Sequence, residues 1–279
     1  PKVEDIPNPY DPERMRSFTK IFSDAHSNDY SGGGYYGGKS VKNMTENMVF
    51  AYQTGNMDIY ERQKAAARRA LVDWFTYTPG EEEHFFAFND VWGFLCGYNN
   101  GYAAELGQDD HLQWGYYTYA AALMCMFDED FKRDYGEMAK LVGKQYANWK
   151  RNEKLPFFRT WSPWFGHSHT GPFGDGGGNG QESSSESMES WGGLYFLAVA
   201  LGDKEMRDAA IMGYTVEARA TQEYWFDIDH ENIDYEKFEW HPENNKKDFE
   251  GNQLYMHRHF NAHVKNSGIG WWTWFSGNP

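Results

Sequence analysis

The most constraining feature of this sequence is an apolar spacing of three and four residues that recurs along most of the chain. Within residues 58–77, for example, Ile59, Ala66 and Trp74 fall near one face of a helix. Similar patterns cover residues 41–54, 112–126, 128–149, 188–201 and 204–225. Residues 85–98 are aromatic and are predicted to be extended. Pairs of long helices predict a mainly α fold, with helical hairpins arranged as a bundle or a closed toroid.

Composition narrows the classes of function. The chain has 279 residues, a net charge of −15 and an aromatic fraction of 18%. Such a chain offers no basic surface for phosphate groups, so we expect no nucleic-acid partner. No run of about 18 apolar residues occurs, so no transmembrane helix and no membrane partner are predicted. The 12 Trp and 19 Tyr exceed what packing requires, and their rings suit the apolar faces of sugars.

A glycine-rich stretch from Gly33 to Ser40 fits the phosphate-binding loop pattern of nucleotide enzymes letter for letter. That loop requires a buried apolar strand immediately before it, whereas residues 24–31 are polar. A nucleotide enzyme is therefore the weaker alternative. A flexible glycine loop before a helix, or a sugar groove lined by Tyr35 and Lys39, fits the context better.

Two stretches carry carboxylates suited to acid–base chemistry. Glu182 and Glu186 are four residues apart, so a helix that began near Glu182 would place both on one face. Asp109 and Asp110 precede the helix predicted over residues 112–126. Each acidic residue could instead cap or begin a helix. Hydrolysis of a glycosidic bond needs one protonated and one ionised carboxylate on opposite sides of the bond, and two acidic helix starts fit that need.

Two histidines before the glutamate pair are the best candidates for metal ligands. His167, His169 and Asp175 match no zinc signature in their spacing, and a hydrogen-bonding role is expected for them. Asp90 is a further acidic residue, and it lies beside an aromatic one, Trp92. We therefore expect no metal and no cofactor, and a site built from carboxylates and aromatic side chains.

Four motifs follow one another along the chain, at residues 109–117, 163–168, 179–186 and 191–195, and a final Trp-Trp-Thr-Trp-Phe follows them. In order and approximate spacing they resemble glycoside hydrolase family 81, the endo-β-1,3-glucanases. The first three resemble that family's Asp-His-His-Phe-His-Tyr-Gly-Tyr, Pro-Tyr-Ala-Gly-His-Ser and Asn-Asn-Gln-Glu-Ser-Ser-Ser-Glu. Asp110 and Gln113 stand where the family's first motif has histidines.

The resemblance implies an (α/α)6 toroid that hydrolyses β-1,3-glucan internally, with inversion. By position it implies Asp109 as the general acid, and it gives the base role to Glu182 and Glu186 without deciding between them. The candidate sugar contacts are Tyr35, Lys39, Asp90, His111, Gln113, His167 and Gln181. It also implies an extracellular protein, although the first residues do not read as a signal peptide.

The predicted organisation is an irregular segment over residues 1–34 and a catalytic domain over residues 35–279, without the family's β-sandwich and C-terminal tail. A toroid of six hairpins needs twelve helices, whereas periodicity indicates about six or seven. We therefore expect a segment of a larger protein, or a barrel that partner chains close. The remaining alternative function is a non-catalytic β-glucan-binding protein with the same groove.

Overall fold

The computed structural model describes residues 11–26, 33–98, 102, 104–151, 154–171, 181–225 and 273–274. Within these residues the chain forms seven α-helices: α1 (Pro12–His26), α2 (Gly34–Gln53), α3 (Met57–Trp74), α4 (Asp110–Phe127), α5 (Glu129–Ala147), α6 (Ser184–Leu201) and α7 (Lys204–Ala220). A 3₁₀ turn, Ala104–Leu106, precedes α4, and a π-helical turn, Thr221–Trp225, follows α7. None of the helices in this part of the chain is both long and apolar enough to cross a membrane.

Six of the helices form three consecutive helical hairpins. Helix α2 packs on α3, α4 packs on α5, and α6 packs on α7. Helix α4 also packs against α2 and against α6, so these three helices form an inner row, with α3, α5 and α7 as their outer partners. The predicted fold class, mainly α with hairpins of the (α/α)6 toroid type, is confirmed.

The apolar pattern of each helix matches its place in this arrangement. The inner helix α4 is apolar on nearly every face, and its buried side chains include Leu112, Trp114 and Met124. A helix that is hydrophobic all round is surrounded by other protein elements. The outer helix α5 is amphipathic and buries one stripe, which includes Phe131 and Val142. The sequence thus predicted α4 from its apolar run and α5 from its amphipathic pattern.

Three two-stranded sheets occur in the described residues. Strands β1 (Phe86–Asn89) and β2 (Phe94–Gly97) form an antiparallel hairpin, which confirms the extended prediction for residues 85–98. Strands β3 (Trp161–Ser162) and β4 (His167–Ser168) are also antiparallel. Strand β5 (Glu182–Ser183) pairs in parallel with β6 (Thr273–Trp274). The second and third sheets thus lie in the chain segments that carry the predicted site residues.

Helix α1 differs from the irregular segment predicted over residues 1–34. Its buried residues, Thr19 and Ser23, are polar. The amide of Asn47 on α2 donates to the carbonyl of Thr19 at 3.0 Å, so hydrogen bonds attach the helix. Phe22 on the same helix also packs, partly buried, against the core, and the prediction was wrong for residues 12–26. Residues 1–10 and 27–32 lie outside the described residues.

Helix α2 begins at Gly34, earlier than the start at residue 41 that periodicity predicted. The glycine-rich stretch is therefore part of a helix rather than a loop, and this geometry rules out a phosphate-binding loop there. Small residues are needed because α2 lies close to α4: a Cβ on Gly38 would be 2.9 Å from the Tyr117 ring.

Two neighbouring glycines on α6 provide a matched test of its packing against α4. A Cβ on Gly193 would lie 2.8 Å from the Cα of Tyr119, whereas a Cβ on Gly192 would meet nothing within 4 Å. We expect Gly193→Ala to lower the free energy of unfolding by about 1–3 kcal/mol, because the α4 backbone must shift. Gly192→Ala should raise it by about 0.5–1 kcal/mol, since alanine favours helix. Urea denaturation measures both, and equal effects would contradict this packing.

Candidate active site

The centre of the candidate site is the carboxylate of Glu186, in the first turn of α6. The hydroxyl of Tyr35 donates to its Oε1 at 2.6 Å, and the hydroxyl of Tyr116 donates to the same oxygen. The ammonium of Lys39 lies 3.2 Å from that oxygen and donates to the Tyr35 hydroxyl at 2.7 Å. We call Tyr35, Lys39, Tyr116 and Glu186 the Glu186 cluster. Its members come from all three inner helices.

The surroundings of Glu186 keep its carboxylate ionised. Burial, the largest influence, raises the pKa, but the hydrogen bonds from Tyr116 and Tyr35 and the charge of Lys39 together hold the pKa below its usual value. The side chain is only 6% exposed. At neutral pH this group therefore accepts protons and hydrogen bonds, and it does not act as a proton donor.

Glu182 and Glu186 do not share the helix face predicted from their spacing. Glu182 lies in β5, paired with Thr273, and α6 begins only at Ser184. Ser183 is the N-cap: its side chain accepts from the N–H of Glu186, and its own backbone is extended. The serine cap thus ends the strand and begins the helix between the two glutamates.

Asp109 occupies the N-cap position of α4 in an unusual backbone conformation. Its φ of 56° and ψ of 12° are left-handed, and the residue is buried. Its N–H donates to the carbonyl of Thr170 at 2.9 Å, and its own carbonyl accepts from Gln113 at 2.8 Å. The side chain makes no capping hydrogen bond, so the capping alternative is not realised for this residue. Left-handed non-glycine residues concentrate at functional sites, where the surrounding structure holds them in place.

The neighbouring Asp110 has a structural role. It is fully buried, forms an ion pair with Arg159, and accepts hydrogen bonds from Gln145 and, at 2.9 Å, from Trp114. Burial raises its pKa to about 6, although Arg159 and the hydrogen bonds act in the opposite direction. The residue thus ties the start of α4 to the segment before β3, and it stays ionised at neutral pH.

A further buried carboxylate, that of Glu217 on α7, was not predicted from the sequence. It accepts hydrogen bonds from Ser168 at 2.6 Å, from Gln181 at 2.7 Å and from Trp191 at 2.7 Å. Burial, the largest influence, raises its pKa, but nearby His111 and the bonds from Ser168 and Trp191 together hold the pKa below its usual value. We call Glu217 and its three donors the Glu217 cluster. The sequence feature that could have revealed Glu217 is its place in the helical spacing of the buried residues of α7, which are Met206, Ala210, Gly213, Glu217 and Ala220.

Four of the predicted sugar contacts are buried side chains: His111, Gln113, His167 and Gln181. Burial lowers the pKa of His111 to about 4, so its ring is neutral, and the ring packs between Tyr146 and Trp191. That these four side chains contact sugar stays a prediction, which their burial neither confirms nor contradicts. The burial also favours a role in which these side chains hold other residues in place.

The remaining predicted contacts are more accessible. Tyr35 and Lys39 belong to the Glu186 cluster and are partly exposed. Asp90 is exposed in the β1–β2 turn, and among the described residues it makes none of the contacts that define the two clusters. An aromatic surface adjoins Glu186: the Tyr35 and Tyr102 rings lie 5.1 Å apart, and the Tyr36 and Tyr102 hydroxyls 3.3 Å apart. Such rings suit a sugar chain.

Of the three residues of the histidine motif, the structure describes His167 and His169. Across the described ranges, no group of three His, Cys, Asp or Glu side chains is placed to hold a metal ion. His167 instead bonds the carbonyl of Ser168 at 2.5 Å, and His169 bonds that of Gly171 at 2.8 Å. Asp175 lies outside the described residues.

The described helices form paired hairpins with carboxylates at the starts of two inner helices, and comparison with known proteins gives the family. A model of the glycosyl hydrolase family 81 C-terminal domain matches residues 17–250, and the chain belongs to this family. A glucan endo-1,3-beta-D-glucosidase from Acetivibrio thermocellus is 36% identical over 199 residues, which are 70% of this chain and 26% of that protein.

Further relatives agree with this assignment. A glucan endo-1,3-beta-D-glucosidase from Thermobifida fusca is 28% identical over 228 residues, 78% of this chain and 30% of that protein. A solved structure, a glutamate-to-alanine mutant of the glycoside hydrolase family 81 protein from Clostridium thermocellum, matches with a TM-score of 0.76 and 32% identity. That match covers 81% of this chain and 32% of the other. The chain thus spans about a third or less of the length of these relatives.

The Glu217 cluster predicts a pH-dependent stability effect. In Glu217→Gln an amide replaces an acceptor-only carboxylate that faces three donors, so we expect a loss of about 1–3 kcal/mol in the free energy of unfolding. The folded pKa lies below the ordinary value of 4.5. The stabilisation by the ionised carboxylate is therefore present above pH 4.5 and is lost as the pH falls through the pKa of the folded state. The free energies of unfolding of wild type and variant should therefore converge at acidic pH.

Urea denaturation between pH 3 and pH 8 measures this effect. The matched control is Glu205→Gln on the same helix, where the side chain is 69% exposed. We expect the control to change the free energy of unfolding by less than about 0.5 kcal/mol. Equal effects of the two substitutions at neutral pH would show that the Glu217 carboxylate does not stabilise the fold.

Proposed function

We propose that this chain hydrolyses β-1,3-glucan internally, by an inverting general acid–base mechanism. The observation that carries the proposal is the buried, ionised carboxylate of Glu186, held by Tyr35, Tyr116 and Lys39 beside an aromatic surface. An ionised carboxylate is the group that activates or holds the attacking water in glycoside hydrolysis. The names of the relatives, glucan endo-1,3-beta-D-glucosidases, support the choice of bond and substrate.

Asp109 is the proposed general acid. Its side chain is not used as a helix cap, and its left-handed backbone is held by bonds to Thr170 and Gln113. The general acid protonates the departing glycosidic oxygen while the base removes a proton from water on the other side of the sugar. Glu182 or Glu186 is the base, and the second glutamate holds the water.

The substrate class follows from the surface beside the carboxylates. Tyr35, Tyr36 and Tyr102 present aromatic rings, which stack on sugar without requiring charge. The net charge of −15 disfavours a polyanionic polysaccharide and suits a neutral glucan. We propose that the protein acts outside the cell, because a glucan polymer does not cross membranes. No cofactor enters the proposed reaction.

The acid and base assignments are tested by three variants. We expect Asp109→Asn, and the Gln variant of whichever glutamate is the base, to lower turnover of linear β-1,3-glucan by about 10²- to 10⁴-fold, with binding retained. Azide should restore turnover only to the base variant, because azide attacks the sugar without needing a base. Reducing-sugar release measures hydrolysis, mass spectrometry of the glycosyl azide product measures the azide reaction, and calorimetry with laminarin measures binding.

The controls for these variants separate the alternatives. Glu205→Gln, on the exposed start of α7, should keep wild-type turnover. Near wild-type turnover in Asp109→Asn, or in both glutamate variants, would refute the assignment. Laminarin binding by the wild-type protein without any sugar release would support the non-catalytic glucan-binding alternative.

The stereochemistry of the product is a separate prediction. An inverting enzyme keeps its carboxyl groups about 6.5–9.5 Å apart to admit a water, whereas a retaining enzyme keeps them about 5–5.5 Å apart. Asp109 and the two glutamates belong to different elements, α4 on one side and β5 or α6 on the other. We expect α-anomeric ends at the earliest times of digestion, as measured by proton NMR. An initial β-anomer would instead make one glutamate a nucleophile.

A further inference from the structure

The Glu186 cluster is repeated one helical turn further along each inner helix. Three residues beyond Lys39 on α2 is Lys42, and three residues beyond Tyr116 on α4 is Tyr119. On α6, Glu189 follows Glu186 at the same spacing. Residues three apart on a helix are neighbours on one face, so the two sets lie one above the other. We call Lys42, Glu46, Tyr119 and Glu189 the lower layer.

The contacts of the lower layer match those of the Glu186 cluster. The Lys42 ammonium lies 3.0 Å from Glu189 and 5.8 Å from the centre of the Tyr119 ring. In the Glu186 cluster, Lys39 lies 3.2 Å from Glu186 and 5.6 Å from the centre of the Tyr116 ring. The same three residue types from the same three helices thus meet twice.

The lysine of the lower layer is more deeply buried than the lysine of the Glu186 cluster. The Lys42 side chain is 6% exposed, whereas that of Lys39 is 22% exposed. Lys42 also pairs with Glu46 on its own helix at 3.1 Å. Burial, the largest influence, lowers the pKa of Lys42, but Glu189 and Glu46 together raise it above its usual value, so the ammonium stays charged. The Glu46 and Glu189 side chains are 29% and 31% exposed, so the buried ammonium is the group that depends most on this pairing.

We propose that the lower layer is a positioning layer, which fixes the register of α2 against α6 and so holds Tyr35 and Lys39 on the Glu186 carboxylate. One ion pair between two helices still allows them to slide or rotate about it. A second pair one turn away removes that freedom. The predicted effect on turnover rests on the proposed function, because it assumes that Glu186 takes part in catalysis. The predicted effect on the geometry around Glu186 does not depend on that function.

The consequence of losing the layer is a change at Glu186. The groups that face it are Tyr35 and Lys39 from α2, Tyr116 from α4, and Ser183 and Glu189 from its own segment. If α2 shifts, the contacts of Tyr35 and Lys39 with the Glu186 carboxylate lengthen. These contacts then offset less of the increase in pKa that burial causes. The pKa of Glu186 then rises. Since the carboxylate must be ionised for turnover, the acid limb of the pH profile moves to higher pH.

The experiment compares Lys42→Met with Lys42→Arg and with a control elsewhere. We expect Lys42→Met to lower kcat about 10- to 100-fold with KM nearly unchanged. The acid limb of the pH–rate profile of this variant should move to higher pH by roughly one unit. Lys42→Arg keeps the positive charge, so this variant should retain most of the wild-type kcat and a nearly unshifted acid limb. The control is Lys140→Met, which removes another cross-helix pair, Lys140–Asp203 between α5 and the start of α7, and should lower Tm without moving the limb.

A second variant and a second readout keep the outcomes distinct. Glu189→Gln leaves Lys42 paired with Glu46, and we expect it to fold and to move the limb in the same direction by a smaller amount. Carbon-13 NMR of the Glu186 carboxyl, assigned with Glu186→Gln, reports its pKa without any need for turnover. A lowered Tm with unchanged limb, kcat and carboxyl titration in both variants would overturn the proposal. A shifted titration in a protein that releases no sugar would refute the proposed function but support the positioning layer.

Discussion

The structure depends on keeping a negative charge inside the protein at the start of α6. A carboxylate removed from water is costly unless charges and hydrogen bonds replace its hydration. For Glu186 these come from Tyr35 and Lys39 on α2 and from Tyr116 on α4. The three inner helices must therefore lie in one relative position for the charge to be tolerated. The ionised state of Glu186 and the packing of the three inner helices thus depend on the same contacts.

The segment that carries both glutamates is held at its two ends by different means. Gln181, before β5, donates to Glu217, which is bonded by three neutral donors and has histidines nearby. Glu186, after Ser183, is bonded by two hydroxyls and paired with Lys39. One end is therefore anchored to the outer helix α7, and the other end to the inner helices. Glu182 lies between these two anchors in the sequence, in strand β5.

The parts of this structure that could be predicted are those built on apolar contacts. The paired helices α4–α5 and α6–α7 followed from the apolar patterns of the sequence, and the extended prediction for residues 85–98 followed from their aromatic content. The parts that could not be predicted depend on polar or absent side chains. Helix α1 buries Thr19 and Ser23, and Glu217 replaces an apolar residue in a buried stripe. The roles that the resemblance implies for the carboxylates stay predictions. The strand at Glu182 and the burial of His111 required tertiary structure, because both depend on partners distant in sequence.

The glycine-rich start of α2 shows why local rules mislead at such a site. Each glycine inside a helix costs about 1 kcal/mol relative to alanine, so local preference favours a loop there. A Cβ on Gly34 would lie 2.9 Å from Gln113, and one on Gly38 would lie 2.9 Å from the Tyr117 ring. Only a backbone without side chains lets α2 approach α4 so closely, and that approach carries Tyr35 and Lys39 to Glu186. The helix is locally weak because the site needs two helices in near contact, and a violated local preference of this kind marks function rather than a folding defect.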